Sequence, residues 1–223
     1  MNTHSLKGAI NAVTDQTNTR QIDTQPIDTQ QPDARSRIIQ AAADIMYQKG
    51  IARATTKEIA RRAGCSEGNL YNHFGTKEEI FLAILNEQLP EFVPLLNKLP
   101  DRVGCGPVKA TLHDVAHAAL RFFNQSIPMG AAFFSERTLL ARHRALLKER
   151  NAGPHKFNAA VTTYLQAEQN AGTIDGTVDA ETVADILLGS CFTRAYWRQF
   201  VGEETSSKSD EEFIQSLLQT LPL

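Results

Sequence analysis

The sequence has few of the residues that mark a secreted or membrane-bound protein. Its three cysteines, Cys65, Cys105 and Cys191, are widely spaced and odd in number. They therefore indicate neither a disulfide framework nor a metal-binding cysteine motif, and a reducing cytoplasm fits best. No apolar run reaches the ~18 residues of a transmembrane helix, and no signal-peptide stretch is recognisable. We expect a cytoplasmic protein with no membrane association.

Strand-like alternation of apolar and polar residues is also missing, which predicts an all-α fold. Apolar residues recur instead at helical spacing, between capping residues and Gly or Pro breaks. The predicted helices start after Asp33, Thr55, Ser66 and Thr76, continue over 108–125, 131–150, 155–171 and 180–200, and end with one after Ser209. Capping-box spacing occurs at Thr55/Glu58, Thr76/Glu79 and Ser209/Glu212. Pro90 and the Pro128–Gly130 segment are predicted breaks.

Charge is unevenly distributed along the chain, although the net charge is only −2. Residues 33–77 carry eight Lys and Arg against four Asp and Glu, whereas residues 78–223 are acidic overall. A basic segment attached to an acidic one is typical of a protein that turns one end toward a polyanion. We predict three parts: a disordered tail over 1–32, a DNA-binding domain over 33–78, and a helical ligand-sensing and dimerisation domain over 79–223. The tail is predicted from its low apolar content.

Residues 55–77, TTKEIARRAGCSEGNLYNHFGTK, are the most informative stretch. They predict a helix, a tight turn and a second helix. Leu70 and Phe74, one turn apart, would face inward. The rest of the second helix is polar or aromatic where a core helix would be aliphatic, which suits a helix that enters the DNA major groove.

This stretch resembles the DNA-binding segment of the tetracycline-repressor (TetR) family of transcriptional regulators. The family pattern is close to T-x-x-x-I-A-x-x-A-G-V-S-x-G-x-L-Y-x-H-F-x-x-K. It is matched by Thr55, Ile59, Ala60, Ala63, Gly64, Ser66, Gly68, Leu70, Tyr71, His73, Phe74 and Lys77. The chain departs at Cys65, where the family usually has Val. The match covers roughly residues 34–85, and beyond it the likeness is only architectural.

The resemblance implies roles for individual residues in DNA binding. Phosphate contacts are expected from Thr56, Tyr71, His73 and Lys77, and base-facing positions from Lys57, Glu67, Gly68, Asn69 and Asn72. Glu67 either accepts from cytosine N4 or is a solvated bystander, and the two asparagines pair with adenine or bond phosphate or water. Arg35 and Arg37, at the start of the first helix, are further candidates for phosphate contact. Lys77 in the first turn of a helix is disfavoured by the helix dipole, which a phosphate partner would explain.

Two other interpretations of this stretch are weaker. Residues 64–68 satisfy G-x-S-x-G, the nucleophile elbow of α/β-hydrolases, but that motif requires a buried strand before it. The preceding KEIARRA segment is charged at helical spacing, so no catalytic residue is assigned and the chain is not expected to be an enzyme. Cys65 near a helix start is a conceivable redox site, but replacement of Val by a small buried hydrophobe is the simpler interpretation.

The remaining helices suggest dimerisation and ligand sensing. Residues 180–200 are apolar on nearly all sides, which one chain alone cannot bury. We expect a homodimer through residues 180–221, packed as a four-helix bundle. A ligand pocket in the body is expected from the aromatic residues and one methionine: Phe122, Phe123, Met129, Phe133, Phe134, Tyr164 and Trp197. His113 and His117 have the spacing of a metal pair, but no further ligand is recognisable, so neither metal nor cofactor is predicted.

The sequence thus predicts a homodimeric, ligand-responsive transcriptional regulator that acts as a repressor. It would bind a near-palindromic double-stranded DNA operator at the bacterial nucleoid and be released by a small hydrophobic or aromatic effector. Two rival hypotheses stay open. One is a helical protein-binding module that uses the Tyr71/His73 face, and the other is a small-molecule carrier or enzyme housed in the acidic body.

Overall fold

The computed structural model describes residues 32–89, 91–202 and 207–223, and every regular element in those ranges is helical. The all-α prediction is confirmed, whereas the predicted tail falls on residues outside those ranges, apart from residue 32. Residues 32–223 form one compact unit. The helices are α1 (Ala34–Arg53), α2 (Thr56–Arg62), α3 (Glu67–His73), α4 (Lys77–Ala83), α5 (Phe92–Asn97), α6 (Val108–Gly130), α7 (Arg137–Glu149), α8 (His155–Asn170), α9 (Ala180–Val201) and α10 (Asp210–Thr220).

The capping residues begin their helices as predicted, but two of the three capping boxes are only half formed. Thr55 and Thr76 accept from the backbone N–H three residues on, both at 3.2 Å. The carboxylate of Glu58 pairs with Lys49 instead of returning to the cap. That of Glu79 accepts from the Gly75 N–H. In α10 both halves of the Ser209/Glu212 box are present, so its start is fixed from both sides.

Prolines interrupt the chain less than the sequence suggests. Helix α5 was not predicted, yet Pro94 lies in its first turn, where no backbone N–H is needed. Pro128 lies inside α6, which continues to Gly130, so the predicted end at residue 125 is wrong. The missing N–H leaves the Asn124 carbonyl without its helical donor, and the side-chain amide of Gln199 donates to that carbonyl at 3.3 Å. A side chain on α9 thus replaces the lost hydrogen bond.

The core of the body is formed by α6 and α9, with α8 against α9 and α10 against α6. Helix α9 buries one side through Val183, Leu187, Cys191 and Ala195. Burial raises the pKa of the Cys191 thiol to about 12, so it is an inert part of the core. The opposite side of α9 leaves apolar and aromatic side chains exposed: Ile186, Phe192, Tyr196, Trp197, Phe200 and Val201. We call these six residues the α9 strip.

The apolar stripe of α10 is used within the chain. Ile214, Leu217, Leu218 and Leu221 are buried, and the exposed side of α10 carries Glu211, Gln215 and Gln219. Within one chain the apolar side of α10 is therefore buried, whereas the α9 strip stays exposed to solvent. None of the helices in the described ranges is long and apolar enough to cross a membrane.

Candidate nucleic-acid interface

The turn between α2 and α3 is set by backbone geometry. Gly64 has a φ of 68°, which an L side chain rarely adopts. The Cys65 N–H donates back to the Ala60 carbonyl at 3.0 Å, which closes the end of α2. Ser66 then caps α3 by accepting from the Asn69 N–H at 3.1 Å. Two consecutive helix boundaries are thereby fixed within a few residues, which holds the angle between α2 and α3.

Helix α3 is anchored by two apolar residues and presents the remainder outward. Leu70 and the following Phe74 are buried. Gly68, Tyr71, Asn72 and His73 are exposed, and Glu67 and Asn69 are half-buried. On α2, Lys57 is exposed and Thr56 is half-buried. Eight of the nine residues assigned to DNA contact by the resemblance, all but Lys77 of α4, therefore lie on α3 or in the first turn of α2, and we call the accessible surface that they form the α3 face.

Side-chain hydroxyls connect the two helices across the turn. The Thr56 hydroxyl lies 3.1 Å from the Tyr71 hydroxyl, and it donates to the Glu67 carboxylate across a long 3.5 Å contact. Glu67 is thus partly engaged by α2, a feature that the sequence did not reveal. The contact between the Thr56 and Tyr71 hydroxyls also holds the Tyr71 side chain, which is 52% exposed, in a defined orientation on the surface.

Several basic side chains of this region are bound within the protein. Arg35 donates two hydrogen bonds to Glu87, and Arg37 donates to the carbonyls of Ala63 and Pro32. Both arginines thus have intramolecular partners in the single chain, and their contact with phosphate stays a prediction. Among the cations of residues 33–77, Arg53, Lys57 and Arg61 are exposed and have no ion pair within the described part of the chain. These three are accessible to a polyanion.

Lys77 has an intramolecular reason for its position at the start of α4. Its ammonium donates to the carbonyls of Ile51 at 2.9 Å and Ala52 at 3.1 Å. Those carbonyls belong to the short turn after Gly50, whose φ of 76° and ψ of 161° interrupt α1, so the ammonium satisfies carbonyls at this break in the helix. A phosphate partner is not needed to explain this lysine, although one of its three N–H groups is left for one.

We expect Lys77→Met to lower the free energy of unfolding by about 1 kcal/mol, because the Ile51 and Ala52 carbonyls lose a charged donor. The measurement is urea unfolding followed by circular dichroism, with the exposed Lys57→Met as the matched control. An unchanged unfolding curve, together with a reduced salt dependence of DNA binding, would instead indicate that Lys77 acts mainly by contacting phosphate.

Cys65 is half-buried and packs against the apolar core. Its place at the start of the turn, with aliphatic neighbours, agrees with the role of a small hydrophobe in the position of Val.

The seven candidates for a ligand pocket do not gather at one place. Phe122 and Phe123 join Phe92, Phe157 and Phe192 in a cluster, with neighbouring ring centroids 5.1–6.0 Å apart. We call it the phenylalanine cluster. It lies between α5, α6, α8 and α9. Only two of its five members were predicted, because the other three come from helices whose packing the sequence does not give.

The other five candidates lie elsewhere. Phe133 packs edge-on against Phe81. Met129 is buried, and its backbone carbonyl lies near Gly50 of α1. Tyr164 is buried where its pKa is raised to about 12 by desolvation. Phe134 and Trp197 are 89% and 56% exposed, so neither lines an enclosed pocket in the single chain.

An open groove of about 470 Å³ runs between α5 and α6. Lys98, Arg102, His113, His117 and Arg121 line it, and Glu91 and Asp114 neutralise two of these cations. His113 bonds Glu211 of α10 at 3.0 Å instead of sharing a ligand with His117. In the described part of the chain, no group of three or more His, Cys, Asp and Glu side chains is placed to hold a metal ion.

Comparison with known proteins identifies the α1–α4 segment. Residues 38–84 match the model of a family described as bacterial regulatory proteins, tetR family. The chain is 25% identical over 190 residues to the HTH-type transcriptional repressor KstR2 of Rhodococcus jostii (strain RHA1), covering 84% of this chain and 90% of that protein. It is 47% identical over 181 residues to the A-factor receptor protein of Streptomyces griseus, covering 78% of this chain and 56% of that one.

The fold has counterparts among solved structures. A putative tetR-family transcriptional regulator from Mesorhizobium loti MAFF303099 superposes with a TM-score of 0.64. The alignment covers 85% of this chain and 97% of that structure at 19% identity, so the likeness concerns the fold alone.

Proposed function

Because this chain belongs to the tetR family of bacterial regulatory proteins, we propose that it is a homodimeric transcriptional repressor that a small effector releases from its operator. Its role as a transcriptional regulator with a helix-turn-helix follows from the family. The homodimer, the small effector and repression of transcription, as opposed to activation, are what we propose. The bacterial nucleoid is the proposed place of action, and no catalytic step is assigned to the chain.

The observation that carries the proposal is the α3 face. A helix anchored by Leu70 and Phe74 presents Gly68, Tyr71 and Asn72 outward. The absence of a side chain at Gly68 lets the helix approach base edges closely. Two such helices in a symmetric dimer would enter successive major grooves about 34–36 Å apart, on a near-palindromic operator.

The proposed dimer uses the α9 strip, within the residues 180–221 originally predicted. A contiguous exposed aromatic surface on a soluble helix marks an interaction site. A two-fold axis would place the strip of one protomer against that of its partner. Helix α10 would contribute its polar outer side at the rim, because its apolar side is already covered by α6.

The proposed effector site is the phenylalanine cluster, which suits a hydrophobic or aromatic molecule. Phe123 is half-buried and Phe192, which also belongs to the α9 strip, is exposed, so the cluster reaches the surface between α6 and α9. One relative is named a receptor for A-factor, which supports a small-molecule effector for this chain as well. To act, the effector must bind the state that is incompetent for DNA more tightly than the competent state.

The test is a gel-shift assay with the DNA upstream of the chain's own gene, repeated at several salt concentrations and with hydrophobic ligands. The proposal expects a cooperative shift whose affinity falls steeply with salt and that a ligand reverses. A protein-binding module would give no salt-sensitive shift. A carrier or enzyme would bind or turn over its ligand without any effect on DNA.

Asn69→Ala should relax preference at one base pair per half-site, at a cost of roughly 1–3 kcal/mol for the preferred base. The backbone N–H of Asn69 bonds Ser66 and is unaffected by the change, so the helix start should persist. Affinities for a set of operator variants provide the measurement, with the exposed Asn97→Ala on α5 as the control. An unchanged preference profile would remove Asn69 from the base-facing set.

A further inference from the structure

A buried carboxylate connects α4 to α7. Glu78, in the first turn of α4, is only 3% exposed. Arg142 of α7 donates from Nε to its carboxylate at 2.9 Å, while the arginine itself is largely exposed. A carboxylate buried to this degree is strongly destabilised when its cation is removed. The relative position of α4 and α7 is therefore coupled to the formation of one ion pair.

An aromatic stack lies beside this ion pair. The His143 ring stacks on Phe133 at 4.1 Å between centroids, with 19° between the planes, and meets the edge of Phe81 at 5.8 Å. Phe81 belongs to α4, and Phe133 to the 3-10 turn Ala131–Phe134. Burial lowers the pKa of His143, so the stacked ring is neutral near pH 7. Its Nδ1 is buried without a hydrogen-bond partner.

The end of α6 packs closely against two rings of this stack. A Cβ on Gly130, at the end of α6, would lie 3.3 Å from Phe81 and 3.4 Å from Phe133. Close-packed contacts of this kind favour discrete arrangements over continuous sliding. A movement of α7 would act on α4 through the contact of His143 with Phe81 as well as through the ion pair.

Helix α7 has few other attachments. Only Leu139 and Leu146 of its thirteen residues are buried, and its main packing partners are α4 and the 3-10 turn. Helix α4, by contrast, is tied to α1 at its start by Lys77. The π-helical turn Ile84–Gln88 that follows it is tied to α1 by the Arg35–Glu87 pair. These two contacts with α1 make α4 part of the DNA-reading unit. Helix α7 belongs to the body and contacts α4.

We infer that Glu78, Arg142 and His143 form a latch through which α7 positions α4, and through it α3, for DNA binding. Only Gly75 and Thr76 separate Phe74, the buried anchor at the end of α3, from the start of α4. A shift of α4 at Glu78 therefore reaches the α3 face over a short, well-anchored path. This inference rests on the proposed function and adds to it the residues that pass a change in the body to the DNA-reading helix.

The test compares Arg142→Met with Arg144→Met, a matched change at an exposed position on the same helix. The operator fragment is the DNA upstream of the chain's own gene. Arg142→Met should weaken binding by about tenfold, with base preference and salt dependence unchanged, and Glu78→Gln should do the same. The double variant should be no weaker than either single one, because both changes break one contact. Arg144→Met should bind as the parent protein does.

Hydrogen exchange of the protein without DNA gives an independent measure. Arg142→Met should speed exchange in α3, α4 and α7 and leave α9 unchanged, whereas Arg144→Met should change none of them. Equal behaviour of the two arginine variants in both measurements would overturn the latch, as would faster exchange with unchanged operator affinity. If the parent protein itself fails to bind the fragment, the proposed function fails, and exchange in α3 alone decides whether the latch positions that helix.

Discussion

The variant Gly68→Leu is expected to fold as well as the parent protein and to lose operator affinity by at least about 100-fold, or about 2.7 kcal/mol. Gly68 is the second residue of α3 and is exposed. A Cβ built there meets nothing closer than the Ser66 hydroxyl at 3.8 Å. Because Leu forms helices better than Gly by several tenths of a kcal/mol, the free protein should be unharmed or slightly stabilised.

The loss arises only in the complex. A leucine side chain at the start of α3 would occupy the space that a base pair or a phosphate needs when the helix enters the major groove. Neighbouring contacts from Tyr71 and Asn72 would then be held away from the DNA. The substitution therefore separates folding from recognition, which truncation of a contact residue does less clearly.

The matched control is Gly176→Leu, since Gly176 is exposed, has nothing within 4 Å of a built Cβ and lies far along the chain in the loop before α9. Urea unfolding and fluorescence anisotropy with labelled operator DNA measure the two effects. Parent-like affinity in Gly68→Leu would show that α3 does not approach DNA. The rival interpretation, a protein-binding module that uses the Tyr71/His73 face, would then be preferred.

The DNA-reading part could be predicted closely because its signals are local. Each helix start over residues 33–77 is specified by a side chain that bonds a backbone N–H three residues away, as at Asp33, Thr55, Ser66 and Thr76. The turn is set by Gly64 and by the Ser66 cap, which are two residues apart. Interactions of such short range can be read from the order of residues, without knowledge of the packing.

The body could be predicted less well because its decisive contacts join distant residues. Phe92, Phe157 and Phe192 meet Phe122 from three different helices, and nothing in their spacing indicates it. The hydrogen bond from the Gln199 side chain to the Asn124 carbonyl joins residues that are 75 positions apart in the sequence. The acceptors of Lys77 could not be predicted for the same reason, because they lie 25 and 26 residues earlier in the chain.

The second large effect is expected at the α9 strip. Trp197→Asp should convert the protein to a monomer and reduce operator affinity by at least about 100-fold. Trp197 is the one tryptophan in the sequence and lies beside Tyr196 and Phe200, whose rings stack at 5.5 Å. Aromatic side chains in such a patch carry most of the energy of an interface. A two-fold axis places each substitution in the interface twice, so two new carboxylates would be buried together.

Loss of the dimer matters for DNA because one α3 face reads only one half-site. Without a partner, the second half-site no longer adds its phosphate and base contacts to the same binding event. Sedimentation equilibrium measures the mass, and the tryptophan emission of the parent protein should shift to shorter wavelength as it dimerises. The control is Gln166→Asp on α8, exposed in the single chain and outside the residues of the proposed interface, which should remain dimeric. A Trp197→Asp protein that stays dimeric would move the interface away from the strip. A monomer with undiminished operator affinity would mean that a single α3 face is sufficient for recognition.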